Sequence, residues 1–261
     1  MQASGNDFVV VDNRKKIIPD ARVFTQKVCA PHTGIGADGV LLFENSKKAN
    51  FRMRIINSDG SEAEACGNGF RCIALYARNI FHYPEQFHFE SGSGIIKAHL
   101  RDKKIRVQLV TPTEIRLQNE IDVLGHRLHY SFINTGVPHT VVFVEGLAKI
   151  DVENLGRAIR RHKKFQPKGT NVNFVEVAGR KEIHARTYER GVEKETLACG
   201  TGSTAAAVIS ALSGYTEPPV KVKTQGSEIL TIDFKRKGNK ITDVTLEGEA
   251  HFVYEGKMIS M

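Results

Sequence analysis

The chain has 261 residues, of which 41% are hydrophobic and 25% charged, with 37 Lys plus Arg against 29 Asp plus Glu and a net charge of +8. That balance describes a folded globular protein, long enough to bury a core without disulfide staples, and it excludes disordered, collagenous and coiled-coil chains. No apolar run approaches the ~18 residues of a membrane span. The opening Met1-Gln2-Ala3-Ser4-Gly5-Asn6-Asp7 lacks the basic and apolar regions of a signal peptide. Four dispersed cysteines fit a reducing, cytoplasmic setting. The basic residues fall in short runs, such as Arg160-Arg161-His162-Lys163-Lys164, without interleaved aromatics. They read as solvated turns, so neither a nucleic acid nor a membrane is expected as a partner, although a positive field would draw small anions.

In chain order, short β-branched or alternating segments predict strands at 8–11, 40–43, 52–57, 95–100, 105–109, 139–144, 172–177, 183–188, 229–234 and 241–246. Helices are expected at 69–78, 152–162 and 203–212; the first and last are rich in small residues and follow a glycine turn. Many strands with few helices indicate an α+β fold rather than an alternating doubly wound sheet. Thr111-Pro112-Thr113 and the polar stretch after it read as a boundary, giving an N-terminal lobe over 1–113 and a C-terminal lobe over 114–261 whose last strand can cross back to the first.

The most informative feature is a repeat. Glu62-Ala63-Glu64-Ala65-Cys66-Gly67-Asn68-Gly69 and Glu195-Thr196-Leu197-Ala198-Cys199-Gly200-Thr201-Gly202 both read E-x-x-A-C-G-x-G, 133 residues apart, about half the chain. Each copy follows a strand and precedes a small-residue helix, which implies a duplicated fold. A cysteine at a helix start meets free backbone N–H groups and the positive end of the helix dipole, both of which favour thiolate. The glycines let a ligand approach the backbone, and exposed N–H groups cradle a carboxylate or phosphate. Two such thiols facing one carbon suit inversion of a stereocentre, one thiolate removing the Cα proton and the other thiol returning one from the opposite face.

Other readings of these residues remain. A cysteine is often a small buried hydrophobe, the expectation for Cys29 and Cys72. A redox pair lacks C-x-x-C, zinc lacks a second Cys or His at ligand spacing, and the phosphate-loop pattern is absent. Gly34-Ile35-Gly36-Ala37-Asp38-Gly39 matches a dinucleotide fingerprint by letter but sits in no clear βαβ unit. A basic binding protein without catalytic thiols is the alternative from a different class.

Together with Gly5-Asn6-Asp7-Phe8, Asn57-Ser58-Asp59-Gly60-Ser61-Glu62, Asn171-Val172-Asn173-Phe174 and Tyr188-Glu189-Arg190-Gly191, these motifs resemble the diaminopimelate epimerase family over nearly the whole chain. The resemblance implies two similar lobes, each a curled, mostly antiparallel sheet around a central helix. It implies a homodimer that needs no cofactor and no metal and interconverts LL- and meso-diaminopimelate for lysine and peptidoglycan synthesis. By position, Cys66 and Cys199 resemble the catalytic thiols, and Gly67-Asn68 and Gly200-Thr201 the loops that hold the reacting carboxylate. Asn6, Asn57, Asn171, Glu189 and Arg190 resemble the substrate-binding set, and His139 and Glu189 the groups that tune the thiols. The chain departs where the family commonly reads G-N-P-H: here it is Gly136-Val137-Pro138-His139, with Asn134 the nearest residue able to compensate. Ala3-Ser4 also stands where Gly-Leu is usual, on an opening segment shorter than the family's.

Overall fold

Strand formation dominates, as the short β-branched runs require, and one central helix in each unit fills the space that its strands enclose. The computed structural model describes residues 1–258. Its chain divides into two units, residues 1–108 together with the chain from 247 onward, and residues 109–246.

The first unit contains β1 (Gln2–Ala3), β2 (Asn6–Asp12), α1 (Ala21–Val28), β3 (Gly39–Glu44), β4 (Arg52–Asn57), β5 (Glu62–Ala63), α2 (Gly67–Phe81), β6 (Gln86–Ser91), β7 (Gly94–Arg101) and β8 (Lys104–Gln108). β2 and β3 run parallel, joined through α1, as a parallel pair requires a crossover. β3 is buried from Gly39 to Phe43, the continuous apolar run of a strand covered on both faces. β4 returns antiparallel to β3, β5 antiparallel to β4, and β6 lies parallel to β4. A meander of β6, β7 and β8 follows. α2 packs against β1, β2, β3, β7 and β8, so strands curl around it. Stacked rings seal this unit: Phe43 on Phe51 at 4.3 Å and Phe51 on Phe89 at 5.1 Å between centroids.

The second unit repeats the plan. It contains β9 (Thr113–Val123), β10 (His126–Asn134), β11 (Pro138–Phe143), α3 (Val152–Arg160), β12 (Asn171–Gly179), β13 (Glu182–Glu189), β14 (Lys194–Thr196), α4 (Gly200–Leu212), β15 (Val220–Lys223), β16 (Ile229–Lys237) and β17 (Lys240–Gly248), whose last two residues count with the first unit. β11 is parallel to β12 across α3, β12 antiparallel to β13, β13 antiparallel to β14 and parallel to β15. These are the relations of β2, β3, β4, β5 and β6. α4 is buried along almost its whole length and packs against β10, β11, β12, β13, β15 and β16. The fold is therefore α+β, two units of one topology, each a curled and mostly antiparallel sheet around a central helix.

Several elements differ from expectation. The polar stretch read as a lobe boundary is β9, paired with β10 in a hairpin within the second unit; the division falls between Gln108 and Leu109. β9 alternates half-buried Ile115, Leu117 and buried Ile121 and Val123 with exposed polar residues, so its composition masks its period. α1 was not expected either: it has barely two turns, started by Asp20, whose carboxylate accepts the Val23 N–H at 3.0 Å.

One glycine marks how closely the outer helix lies on its sheet. A Cβ at Gly156, in the middle of α3, would stand 2.5 Å from the Cβ of the fully buried Tyr188 on β13. Glycine to alanine within a helix ordinarily stabilises by ~0.5–1 kcal/mol. Here the clash reverses the sign: Gly156→Ala is expected to destabilise by about 1–3 kcal/mol, the range for overpacked cores, read from urea denaturation of the purified protein.

Candidate active site

Both repeated cysteines are the residues at which their helices start. Cys66 caps α2 with an extended backbone (φ −152°, ψ 112°), and the Phe70 N–H donates to its carbonyl at 2.8 Å. Cys199 caps α4 in nearly the same conformation (φ −121°, ψ 112°), with the Ser203 N–H on its carbonyl at 2.8 Å. Each sulfur thus sits beside the opening N–H groups of a buried helix, where the macrodipole favours negative charge.

In the first unit Cys66 is half-buried. The Gly69 N–H donates to its sulfur at 3.5 Å, and the thiol in turn faces Asn6 Oδ1 at 3.8 Å. The Asn6 amide is oriented by Asp38, which accepts from Nδ2 at 2.5 Å. Asp38 also accepts the Asp7 backbone N–H, and its own N–H reaches Asp7 Oδ1 at 3.1 Å. Burial, with the Asp38 charge adding and the Asp38 N–H opposing, pushes the Asp7 carboxyl above the ordinary aspartate range. Gly67 and Asn68 are buried in the first turn of α2. Asn68 Oδ1 accepts from Arg71 at 3.2 Å. Asn57 is exposed at the end of β4 and holds the turn into β5, its Nδ2 on Ser61 Oγ at 3.0 Å.

In the second unit Cys199 is 7% exposed, and its sulfur lies 3.5 Å from the hydroxyl of Thr201. That hydroxyl is 3.0 Å from His139 Nε2, and His139 Nδ1 is 3.1 Å from Asn173 Nδ2. His139 is fully buried, and its imidazole is driven down to about 3, first by burial and then by the Arg190 charge, with the Asn173 hydrogen bond opposing. It is a neutral ring at physiological pH. Asn171 receives the Arg190 backbone N–H at 2.8 Å and donates to the Pro138 carbonyl at 3.2 Å. Arg190 Nη1 reaches the Lys168 carbonyl at 2.9 Å. The Glu189 carboxylate accepts from Thr196 at 3.1 Å. Asn134, beside Val137, holds its own turn through Glu114 and the Gly136 N–H.

The expected residues therefore gather into two clusters, one per unit: Cys66, Asn6, Gly67 and Asn68, with Asn57 at the neighbouring strand end; and Cys199, Gly200, Thr201, His139, Asn171, Glu189 and Arg190. Reading the sequence missed three participants, Asp38, Arg71 and Asn173. Asp38 and Asn173 belong to motifs already singled out, and their polar character within or beside apolar strands was the available signal. Arg71 is fully buried one turn into α2, bound to Asn68, to Ser4 Oγ at 2.5 Å and to the Glu249 carbonyl at 3.1 Å. Cys72 and Cys29 lie inside the core, and burial, then Asp7 and Asp38, raises the Cys29 thiol to about 11, beyond use as a thiolate.

Known proteins share this fold. By overall fold, the chain matches a phenazine biosynthesis protein of the PhzF family from Bacillus anthracis with a TM-score of 0.72 at 15% identity, over 95% of this chain and 92% of the other. A probable proline racemase from Agrobacterium radiobacter K84 matches with a TM-score of 0.71 at 14% identity, over 99% and 92%. Sequence likeness is far closer elsewhere. The diaminopimelate epimerase of Aquifex aeolicus is 46% identical over 99% of this chain and 96% of its own length, and that of Methanocella arvoryzae 41% over 99% and 95%. The sequence profile of diaminopimelate epimerase matches residues 1–114 and 131–253. The chain belongs to the diaminopimelate epimerase family.

Proposed function

We propose that this protein interconverts LL-2,6-diaminopimelate and meso-diaminopimelate without a cofactor, in lysine and peptidoglycan precursor synthesis, as a cytoplasmic homodimer. The observation that carries the chemistry is the repeated helix start: the same E-x-x-A-C-G-x-G puts a thiol at the N-terminus of the central helix in each of two units of one topology. Inversion needs a base on one face of Cα and an acid on the other, exchanging roles in the reverse direction, and a duplicated thiol supplies that equivalence.

Cys66 and Cys199 form this pair in our reading. One acts as thiolate and removes the Cα proton; the other acts as thiol and delivers its proton to the opposite face. The carbanion-like transition state moves charge onto the α-carboxylate. The backbone N–H groups of Gly67-Asn68 and Gly200-Thr201, at the positive ends of the two helices, stabilise that charge. Arg190 engages a substrate carboxylate, a pairing its planar fork suits, and Glu189 takes an ammonium group. Asn6, Asn57 and Asn171 complete the recognition of the polar substrate, and His139 and Glu189 set the state of the thiols. Family membership at 46% identity supports the substrate, and Val137 in place of the usual Asn is the reason to test it against other amino acids.

Incubation in heavy water with LL-diaminopimelate is expected to wash deuterium into Cα. Proline, glutamate and histidine, run in parallel, are expected to exchange at background rate. Exchange into one of those instead would move the substrate assignment while keeping the chemistry, and exchange into none would leave a binding protein. Cys66→Ala and Cys199→Ala are each expected to lower epimerisation at least ~10²–10⁴-fold, the usual worth of an essential acid or base; near-full turnover in either would end the two-thiol reading. Cys29→Ser and Cys72→Ala serve as controls whose kinetics stay close to the parent.

Arg190→Met is expected to raise KM and lower kcat/KM by the equivalent of about 2–5 kcal/mol, as for a charge left without its partner. A change below about 0.5 kcal/mol, the scale of an ordinary surface substitution, would assign Arg190 to holding the Lys168 loop alone.

A further inference from the structure

The two units place different residues behind their equivalent thiols. The repeat aligns Ala63 with Thr196. Ala63 pairs with Ile55, which pairs with Leu41. Thr196 pairs with Thr187, which pairs with Asn173. Two residues back along the central strand, Gly39 pairs with Phe8 in the first unit and Asn171 with His139 in the second. The apolar set Phe8, Leu41 and Ile55 thus corresponds to the polar set His139, Asn173 and Thr187. The repeat glycines agree: a Cβ on Gly69 would first meet Leu41, at 3.2 Å, and a Cβ on Gly202 would first meet Asn173 Oδ1, at 2.3 Å. Three polar side chains in a place that an apolar trio also fills cost desolvation unless each is bonded.

Each is bonded, and the bonds have one direction. Asn173 Oδ1 accepts from the Thr187 hydroxyl at 3.0 Å, and Nδ2 donates to the Thr140 carbonyl at 3.0 Å, which can only accept. The amide orientation is thereby set, and its other N–H points at His139 Nδ1. Nδ1 is therefore the accepting nitrogen, and the neutral ring carries its proton on Nε2. That N–H donates to Thr201 Oγ1, so the Thr201 proton turns to the remaining neighbour, the Cys199 sulfur. The burial that keeps His139 neutral keeps the chain in this state.

We infer that Asn173 is a positioning residue, which selects the Nε2–H tautomer of His139 so that the Thr201 hydroxyl donates to Cys199 and stabilises its thiolate. The inference rests on the two-thiol reading above only for its consequence in turnover; the hydrogen-bond chain stands on its own geometry. Cys66 has a different setting, a backbone N–H from Gly69 and the amide oxygen of Asn6. The two thiols are thus tuned by different means. Arg190, whose charge acts on His139, and Glu189, bound by Thr196, are both retained in every variant below.

The test reads thiolate formation without substrate, so it is separate from the heavy-water experiment. Purified protein is alkylated with iodoacetamide across a pH series, and Cys66 and Cys199 are followed individually by peptide mass spectrometry. Thr201→Val, which keeps the backbone N–H and the side-chain shape, is expected to move the Cys199 midpoint up by about one to two pH units, the worth of a hydrogen bond to a charged group, with the Cys66 midpoint unmoved. Thr201→Ser is expected to restore it. Asn173→Asp offers Nδ1 only acceptors, reverses the tautomer and makes Nε2 accept from Thr201, so it is expected to raise the Cys199 midpoint while leaving Thr201 and His139 in place. An unchanged Cys199 midpoint in Thr201→Val would overturn the chain. A shift in Thr201→Val but none in a folded Asn173→Asp would remove Asn173 from it. Independently of any variant, nitrogen-15 NMR of the wild-type protein is expected to show His139 protonated at Nε2, and protonation at Nδ1 overturns the inference.

Discussion

In each unit the first turn of a buried helix closes on the carbonyl of a cysteine, through Phe70 in one and Ser203 in the other, both at 2.8 Å. Helix starts are ordinarily capped by Ser, Thr, Asp or Asn, whose oxygen satisfies a backbone donor strongly. A sulfur is a weaker acceptor, and Cys199 makes no side-chain cap bond at all. Choosing cysteine gives up part of a cap worth ~0.5–2 kcal/mol. In exchange, the turn leaves backbone donors free of a strong side-chain cap and places a sulfur among them. The surrounding strands make that arrangement rigid: α4 is buried almost throughout, and α2 over most of its first half. The backbone that carries each thiol is thereby held by the whole unit.

Arg71 shows how far the first unit goes to hold its helix start. A buried guanidinium costs several kcal/mol in desolvation unless its donors are met. Here they are met by Ser4, Gly67, Asn68 and the Glu249 carbonyl, which ties the chain's beginning, the cysteine turn and the returning C-terminal segment to one side chain. It also places a fixed positive charge one turn below Cys66, in the same sense as the helix dipole. The second unit has no arginine at this depth; the corresponding helix continues as Ser203 and Thr204, and Thr204 bonds back to the Gly200 carbonyl at 2.9 Å.

The duplication is legible because both copies keep the same letters, E-x-x-A-C-G-x-G, at the start of the central helix. The central strands were legible for the opposite reason: Val172, Phe174 and Val175, or Val40 to Phe43, are apolar enough to admit no other role. β9 is hidden in the sequence because alternate residues face solvent on a long hairpin, and their charge masks the period. Asn173, within Asn171-Val172-Asn173-Phe174, shows no role in the sequence, since an asparagine in a strand pattern reads as an outward-facing residue. Only the register, which turns it inward beneath Gly202, shows its environment. Gathering within each unit was likewise beyond sequence spacing: Asn6 and Cys66 are 60 residues apart, and His139 and Thr201 62 apart.

The comparison of Phe8, Leu41 and Ile55 with His139, Asn173 and Thr187 bears on how one fold serves an asymmetric task. Duplicated halves begin with identical environments, and a reaction that inverts one centre would accept identical thiols. A substrate with a second, unreactive end does not present the same surroundings to both faces, so equal thiols would not be equally matched to it. Replacing an apolar trio by a closed hydrogen-bond chain changes the electrostatics behind one sulfur without altering the backbone that carries it, because both trios occupy the same register. The desolvation of three polar groups is offset within the trio and its immediate neighbours, leaving a single outgoing hydroxyl proton directed at sulfur. The asymmetry is therefore built into side chains behind the thiol, where it can change without disturbing the glycine turns that follow the cysteine.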